Sequence, residues 1–393
     1  MKKQILAVAM CLVCAGGAVA EKKDSTKFTT IKENPITSIK NQSRSGTCWC
    51  FSSLAFLESE LLRMGKGEFD LCESFVVYKT MVDRAVAAVR THGDVSFSQG
   101  GSFYDVLYTL KNHGMLPQDA MAAPGSMYGD TLFNHNELDK VASAYVGAIA
   151  KGGLKKLSPI WKTGFERIYD TYMGTIPEKF TYKGKEYTPK SFAESLGLNA
   201  DDYVSLTSYT HHPFYEPFVL EIQDNWRWAQ SYNLPLDEFM EVMDYAVRNG
   251  YTIAWGSDVS EKGFGRDGVA VVPADGKDHD MTGSDAARWT GSDKVNGPKP
   301  TQGSKKEKTI TQEMRQIAYD NWETTDDHGM QIYGLAKDQD GNEYFMVKNS
   351  WGDYNEYHGI FYASKPFVAY KTMNIVLHKD ALPKAIRKKL GLK

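Results

Sequence analysis

Three short segments of the chain carry side chains that together could perform hydrolysis through a thiol. Cys48 lies six residues after Gln42, and near the other end of the chain His328 is followed 21 residues later by Asn349. A thiol is a weak nucleophile until it loses its proton, so a catalytic cysteine needs a cationic neighbour or a helix N-terminus. These residue types therefore predict a cysteine nucleophile, an imidazole base and two supporting amides.

The roles of the side chains follow from the proton and charge movements of acyl transfer. Cys48 would attack a carbonyl carbon, and His328 would protonate the leaving amine. Asn349 would hold the imidazole ring by accepting from its second N–H. Gln42 would donate to the developing oxyanion together with the backbone N–H of Cys48. Trp351 would shield the Asn–His hydrogen bond from water, although an ordinary core tryptophan is an equally compatible interpretation.

The segments around these residues resemble the papain superfamily, and within it the branch of bleomycin hydrolase and aminopeptidase C. Ser45 stands where the papain signature has its first cysteine, and His328 lies 280 residues after Cys48 rather than about 130 to 150. Both departures are features of that branch, whose members carry a large helical insertion. Further segments that resemble the branch are residues 99–101, 203–207, 211–213, 255–259 and 325–330.

The resemblance implies an α+β fold, a papain-like arrangement of two lobes with a large helical insertion. Apolar periodicity and Gly-rich punctuation agree with this division. The predicted parts are a helical lobe with the nucleophile at 21–118, a helical insertion at 119–250, a β-rich lobe with the histidine and asparagine at 251–378, and a tail at 379–393. Predicted helices lie near 48–64, 73–89, 137–146, 191–196 and 236–249, and predicted strands near 252–255, 331–335, 344–347, 360–363 and 372–377.

Four further residues are predicted to contact substrate. In papain-like enzymes a pair of glycines runs alongside the substrate backbone, and Gly100 and Gly101 match that pair, with a simple turn as the alternative. Trp49 and Asp327, the immediate neighbours of the nucleophile and the base, are the other two. No metal or other cofactor is predicted, because the acidic residues and His279 in the 275–280 segment read as a solvated loop.

The predicted function is a cysteine aminopeptidase that acts on peptides. The resemblance implies a C-terminal arm whose carboxylate pairs with the substrate's amino group, and a homohexamer whose sites face an inner chamber. The tail here is short and basic, so a solvated surface helix is the alternative. Two other functions stay open, namely an endopeptidase with an open groove and a non-enzymatic papain-like protein that binds peptides.

The N-terminus predicts export. Residues 1–20 contain a basic pair, a short apolar run and Ala18-Val19-Ala20, which are typical of a cleavable signal peptide rather than a stable membrane anchor. The protein would then be periplasmic or secreted. Cleavage would leave a net charge of about −5, which gives no reason to expect a nucleic-acid partner.

Three cysteines remain after the predicted cleavage. Besides the nucleophile, these are Cys50 and Cys72, which are expected to be structural, and a bridge between them is left open.

Overall fold

The predicted nucleophile begins a helix that is buried along most of its length. Helix α1 spans Cys48–Arg63, and its residues from Trp49 to Leu61 are buried. A helix buried on all sides needs mostly small or apolar side chains, and the two buried glutamates of α1, Glu58 and Glu60, are paired with Lys40 and Arg63. It packs against α2 (Glu73–Arg90) and α3 (Phe103–Asn112) and against strand β9 (His328–Lys337) of the sheet.

The computed structural model describes residues 26–392 except 123, 124, 126, 128, 262, 266 and 275–305. The predicted signal peptide and the acidic 275–280 segment lie outside the described residues. The remaining helices are α4 (Asn136–Lys151), α5 (Trp161–Met173), α6 (Pro189–Leu196), α7 (Leu236–Arg248), α8 (Gln312–Asp320), α9 (Lys365–Lys371) and α10 (Lys384–Lys389). Within the described part of the chain, no helix is both long and apolar enough for a membrane span.

In the described ranges, a large mixed sheet of ten strands, drawn from both ends of the chain, packs against the helices. Its strands are β1 (Thr29–Glu33), β4 (Tyr203–Thr207), β5 (Pro217–Val219), β6 (Gln230–Asn233), β7 (Ile253–Ser257), β8 (Val269–Ala270), β9, β10 (Glu343–Lys348), β11 (Ile360–Ser364) and β12 (Thr372–His378). The order is β5-β6-β4-β12-β7-β9-β10-β11-β8, and β1 pairs with β9. Strands β2 (Phe180–Tyr182) and β3 (Lys185–Tyr187) form a separate hairpin.

The register of the sheet brings the predicted base and its partner to the same edge. β9 and β10 are antiparallel, with Gln331 opposite Lys348. His328 is the first residue of β9, and Asn349 immediately follows the last residue of β10. Because antiparallel neighbours run in opposite directions, the start of one strand lies beside the end of the other.

Two large apolar cores account for most of the buried residues of the described chain, and neither follows the bounds of one predicted domain. One is built mainly from helices α1 to α6, and the other from the sheet together with α7, α9 and α10. A chain of this length is expected to divide its core in this way.

The range predicted as a helical insertion contributes to the sheet as well. Helices α4 to α7 lie within it, but so do β4, β5 and β6, and β4 pairs with β12 in the centre of the sheet. The sequence of β6, Gln-Ser-Tyr-Asn, has no apolar alternation, so pairing with neighbours and not local pattern makes it a strand. The division of the chain into domains itself stays a prediction.

Candidate active site

Cys48 occupies the first position of α1, where its thiol meets the positive end of the helix. The first turn contains no acidic residue, and the N–H groups of Cys50 and Phe51 both bond to the carbonyl of Thr47. A thiolate at such a position is stabilised by the helix dipole. Cys48 is partly exposed, as a nucleophile must be to meet a substrate.

The other two cysteines of the described chain are structural. All three thiols are free, so Cys50 and Cys72 do not form a bridge. Both side chains are fully buried, and burial raises the pKa of the Cys50 thiol well above its usual value and that of Cys72 to about 12. Neither thiol would ionise near neutral pH.

His328 and Asn349 form a buried hydrogen bond. The distance from Nε2 of His328 to Oδ1 of Asn349 is 2.8 Å. The backbone N–H of Ser350 also donates to this Oδ1 at 2.8 Å, which identifies the atom as the amide oxygen. Nε2 must therefore donate, and Nδ1 is the ring nitrogen that would exchange a proton with the thiol.

Trp351 covers this pair. Its ring lies 5.0 Å from the His328 ring at an interplanar angle of 31°, and it also packs against Phe264 and Phe361. This position agrees with the shielding role predicted from the sequence, which itself stays a prediction. A water-excluding cover strengthens a hydrogen bond because it lowers the local dielectric constant.

One cleft brings the nucleophile and the base together. Cys48 and His328 both line it. Gly329 allows this approach: a side-chain carbon at that position would lie 2.7 Å from Oγ of Ser52 and 3.3 Å from the carbonyl oxygen of Cys48. The glycine after the histidine therefore lets the start of β9 lie directly on the N-terminus of α1.

Gln42 lies close to the catalytic residues but is not among those that line the cleft. Its side chain is buried; Nε2 donates to the carbonyl of Ser45 at 2.9 Å, and Ser350 donates its hydroxyl to Oε1 at 2.5 Å. The backbone N–H of Gln42 also bonds to the carbonyl of Ser350. These bonds link the segment before the nucleophile to the segment after Asn349. The oxyanion role of Gln42 stays a prediction.

The predicted glycine pair lies against the cleft wall. A side-chain carbon on Gly101 would come within 2.7 Å of the Trp49 indole, whose N–H donates to the carbonyl of Gln99 at 3.0 Å. Gly101 and Trp49 both line the cleft. A side-chain carbon on Gly100 would lie only 2.1 Å from a carboxylate oxygen of Asp224. The glycines thus permit close packing on both sides, and their contact with substrate stays a prediction.

Asp327 lines the cleft, but its carboxylate is held by neighbouring residues. Its Oδ2 accepts from both the backbone N–H and the hydroxyl of Ser260, and its Oδ1 accepts from the Thr325 hydroxyl. Asp258 accepts a hydrogen bond from the same Ser260 N–H as Asp327, and burial together with the charge of Asp327 raises the pKa of Asp258 well above its usual value. The geometry gives Asp327 a part in holding the segment before His328, and a direct contact with substrate stays a prediction.

Two acidic residues in the cleft were missed by the sequence analysis. Asp224 and Asp326 both line it, beside Ile222 and Asn374. Asp326 is two residues before the base, and that adjacency was a usable signal. Asp224 arrives from the loop between β5 and β6, and nothing in its local sequence predicts that position.

The tail packs away from the residues that line the cleft. Ile386 and Leu390 are buried in the core of the β-rich lobe, and Nζ of Lys389 lies 2.7 Å from Glu238 on α7. None of the described tail residues lines the cleft. A helix does form here, but it is docked through its apolar side rather than fully solvated.

Within the described residues, one group of side chains could share a metal ion, namely His211, His212 and Glu221. The two Nε2 atoms lie 3.1 and 3.0 Å from the Glu221 carboxylate, distances that hydrogen bonds explain.

The chain is similar to several known aminopeptidases and to a solved structure. Aminopeptidase C from Streptococcus thermophilus is 24% identical over 386 residues, covering 88% of this chain and 81% of that protein. Aminopeptidase G from Lactobacillus delbrueckii subsp. lactis is 23% identical over 402 residues, covering 90% and 83%. The crystal structure of PepW from Lactobacillus rhamnosis HN001 matches with a TM-score of 0.67 at 20% identity, covering 92% of this chain and 84% of PepW, and the predicted papain-like α+β fold is confirmed.

A model of the peptidase C1-like family matches residues 5–274 and 305–392, which is most of the chain. The protein belongs to the peptidase C1-like family.

Proposed function

We propose that this protein is a cysteine aminopeptidase that removes N-terminal residues from peptides. One observation carries the proposal: a single cleft holds Cys48 at the N-terminus of a buried helix together with His328, whose ring is oriented by Asn349. The relatives named aminopeptidase C and aminopeptidase G support the exopeptidase activity over the endopeptidase alternative.

The reaction proceeds in two halves. In the first, the Cys48 thiolate attacks the carbonyl carbon of the first peptide bond, and His328 donates a proton from Nδ1 to the departing amine. The acyl group is then a thioester on Cys48. In the second half, His328 takes a proton from a water molecule, and the resulting attack on the thioester releases the amino acid and restores the thiolate.

Each supporting contact has a defined part in this cycle. Asn349 fixes the ring so that the same nitrogen faces the thiol in both halves. The backbone N–H of Cys48 is a donor for the oxyanion, since the first N–H groups of a helix have no partner within the helix. Gln42 would supply the second donor, because an amide nitrogen bonded once to Ser45 still carries another hydrogen.

Paired substrates test the proposal. An aminoacyl fluorogenic amide with a free α-amine and its N-acetylated twin are compared under reducing conditions, with and without iodoacetamide. Cleavage of only the free-amine substrate, abolished by the alkylator, is the expected result. Cleavage of both substrates would identify an endopeptidase, and cleavage of neither would favour a peptide-binding protein.

The proposal extends to location and assembly. The first twenty residues support export to the periplasm or medium, and intact mass spectrometry of the secreted protein should give a chain that begins at Glu21. The resemblance to the bleomycin hydrolase branch supports a homohexamer, which light scattering during size-exclusion chromatography would detect. A monomer, or a chain that keeps Met1, would contradict the corresponding part.

A further inference from the structure

Two acidic side chains, Asp224 and Asp326, line the same cleft as the nucleophile and the base, and we call this part of the lining the acidic end. We infer that these two carboxylates bind the α-ammonium group of the substrate's first residue and thereby limit the cleft to one residue before the cleaved bond. This inference rests on the proposed aminopeptidase function and specifies how that function is achieved.

Asp224 lines the cleft and lies against the first glycine of the pair. Its carboxylate lies so close to Gly100 that a side-chain carbon there would be 2.1 to 2.6 Å from three of its atoms. A longer peptide would extend along the backbone of Gly100, so a carboxylate packed on that residue occupies the path. The buried guanidinium of Arg84 stabilises this contact, because it donates to the carbonyl of Gly100 and also lies 3.3 Å from a carboxylate oxygen of Asp224.

Asp326 provides the second carboxylate. It is partly buried in the cleft, and none of the described residues donates a hydrogen bond to its carboxylate or forms an ion pair with it. Burial raises the pKa of Asp326 well above its usual value, and the charges of Asp224 and Asp327 raise it further. A carboxylate in that situation gains from any cation that enters the cleft.

The charges at this end do not balance. Arg84 is the cation nearest to Asp224, and it is shared with the carbonyl oxygens of Ser96 and Gly100. Arg227, the next guanidinium, is paired with Asp83 and Asp105 instead. Among the described residues, Arg84 is the cation paired with Asp224 and none is paired with Asp326, so a cation that enters the cleft would be attracted by both carboxylates.

The α-ammonium of a peptide has the correct charge and position for this role. Its nitrogen is two bonds from the carbonyl carbon that Cys48 attacks, so it must lie beside the nucleophile when the first peptide bond is cleaved. None of the described tail residues lines the cleft: Ile386 and Leu390 are buried in the core of the β-rich lobe, and Asp380, the acidic residue of the described tail, is paired with Arg387. The carboxylates of the cleft wall would take the place that the resemblance assigns to a C-terminal carboxylate.

Three probes and two variants test this inference. The probes are phenylalanyl-aminomethylcoumarin, its desamino analogue 3-phenylpropanoyl-aminomethylcoumarin, and acetyl-lysyl-phenylalanyl-aminomethylcoumarin, which carries its ammonium on a side chain. kcat and KM are measured separately for the wild-type protein, Asp326→Asn and Asp224→Asn. Asp201→Asn is the matched control, since Asp201 is exposed and paired with Lys111 outside the cleft.

In the wild-type protein the free-amine probe should have the highest kcat/KM. Asp326→Asn should lower the ratio of free-amine to desamino kcat/KM by about tenfold or more, mostly through KM, because a hydrogen bond between charged groups is lost. Asp224→Asn should act in the same direction, and an unchanged urea midpoint would show that each variant is folded. Asp201→Asn should keep the wild-type ratio.

Results that contradict the ammonium subsite can be told apart from results that contradict the proposed peptidase activity. Equal losses on the free-amine and desamino probes, or no loss on either, would overturn the ammonium subsite while leaving a cysteine peptidase. Asp326-dependent cleavage of the acetyl-lysyl probe would overturn it too, because the acidic wall would then select a side chain. Wild-type protein that cleaves none of the probes would contradict the proposed function itself.

Discussion

The two ends of the cleft differ in how their polar groups are satisfied. At the catalytic end, the His328 ring is bonded to Asn349, covered by Trp351 and held against α1 by the close approach of Gly329. At the acidic end, Asp224 shares one guanidinium with two carbonyl groups, and the carboxylate of Asp326 has no bonded partner in the described structure. The first end is organised before substrate arrives, whereas the second is completed by it.

The largest effect is expected from removal of the nucleophile at the catalytic end. Cys48→Ala should reduce hydrolysis by about 10⁴-fold or more without loss of folding, since the thiol is partly exposed and not fully buried. Cys50→Ala is the control: it should keep its activity and lose roughly 1 kcal/mol of stability because a buried sulfur is removed. Steady-state kinetics and urea unfolding measure both. Turnover retained by Cys48→Ala would refute the assignment.

A smaller effect is expected from the group that orients the base. His328→Ala should lower kcat by about 10³ to 10⁴-fold, and Asn349→Ala by about 10²-fold, because Asn349 positions the ring without exchanging the proton. Asn349→Asp keeps an acceptor for Nε2 and should recover part of the rate. If both alanine variants lose the same activity, the ring has no productive position without Asn349.

The close approach at Gly329 gives a steric test. In Gly329→Ala the added carbon would lie 2.7 Å from Ser52 Oγ and 3.2 Å from the Trp49 Cα, so the Ser52 hydroxyl must turn away and β9 must shift from α1 by a few tenths of an ångström. A displacement of this kind should lower kcat by about 10 to 100-fold. Gly147→Ala is the control, because nothing lies within 4 Å of its added carbon. Wild-type kcat in Gly329→Ala would show that the spacing between the lobes is not critical.

The last prediction concerns the stability of the packing beside the segment before Cys48, with no change in activity expected at neutral pH. His135 is buried beside Thr47 and Gln99, and burial lowers its pKa to about 4. The unfolded chain takes up this proton near pH 6.5, so the stability contribution is complete above pH 6.5 and is lost as the pH falls towards 4. The loss should approach about 3 kcal/mol.

Urea unfolding at pH 7.0 and 4.5 measures this effect. His135→Phe should reduce the difference in unfolding free energy between the two pH values, whereas His92→Asn, at an exposed position, should not. The same pH dependence in wild type and His135→Phe would show that other groups account for the acid sensitivity.

The catalytic end was predictable from the sequence because each of its parts is locally encoded. Cys48 precedes a run of apolar residues at helical spacing, and His328 and Asn349 adjoin apolar segments that form neighbouring strands. The predicted family and the α+β fold are confirmed, since the family model covers both catalytic segments.

The position of Asp224 at the acidic end could not be predicted in the same way, although that of Asp326, two residues before His328, could have been. Asp224 reaches Gly100 from a loop more than one hundred residues away, and loops carry no periodic signal that would place one of their side chains. The same reason applies to β6, whose polar sequence becomes a strand only through its neighbours. Tertiary contacts also decide that Gln42 bonds to Ser45 and Ser350 and that the basic tail docks through Ile386.

The most direct test of the account is the product pattern from an unblocked decapeptide, followed by mass spectrometry over time. A cysteine aminopeptidase should give a ladder of peptides, each shorter by one N-terminal residue. The ladder should be absent with Cys48→Ala and with the N-acetylated decapeptide. Internal fragments from both the free and the acetylated peptide would contradict a cleft that ends at an ammonium-binding wall.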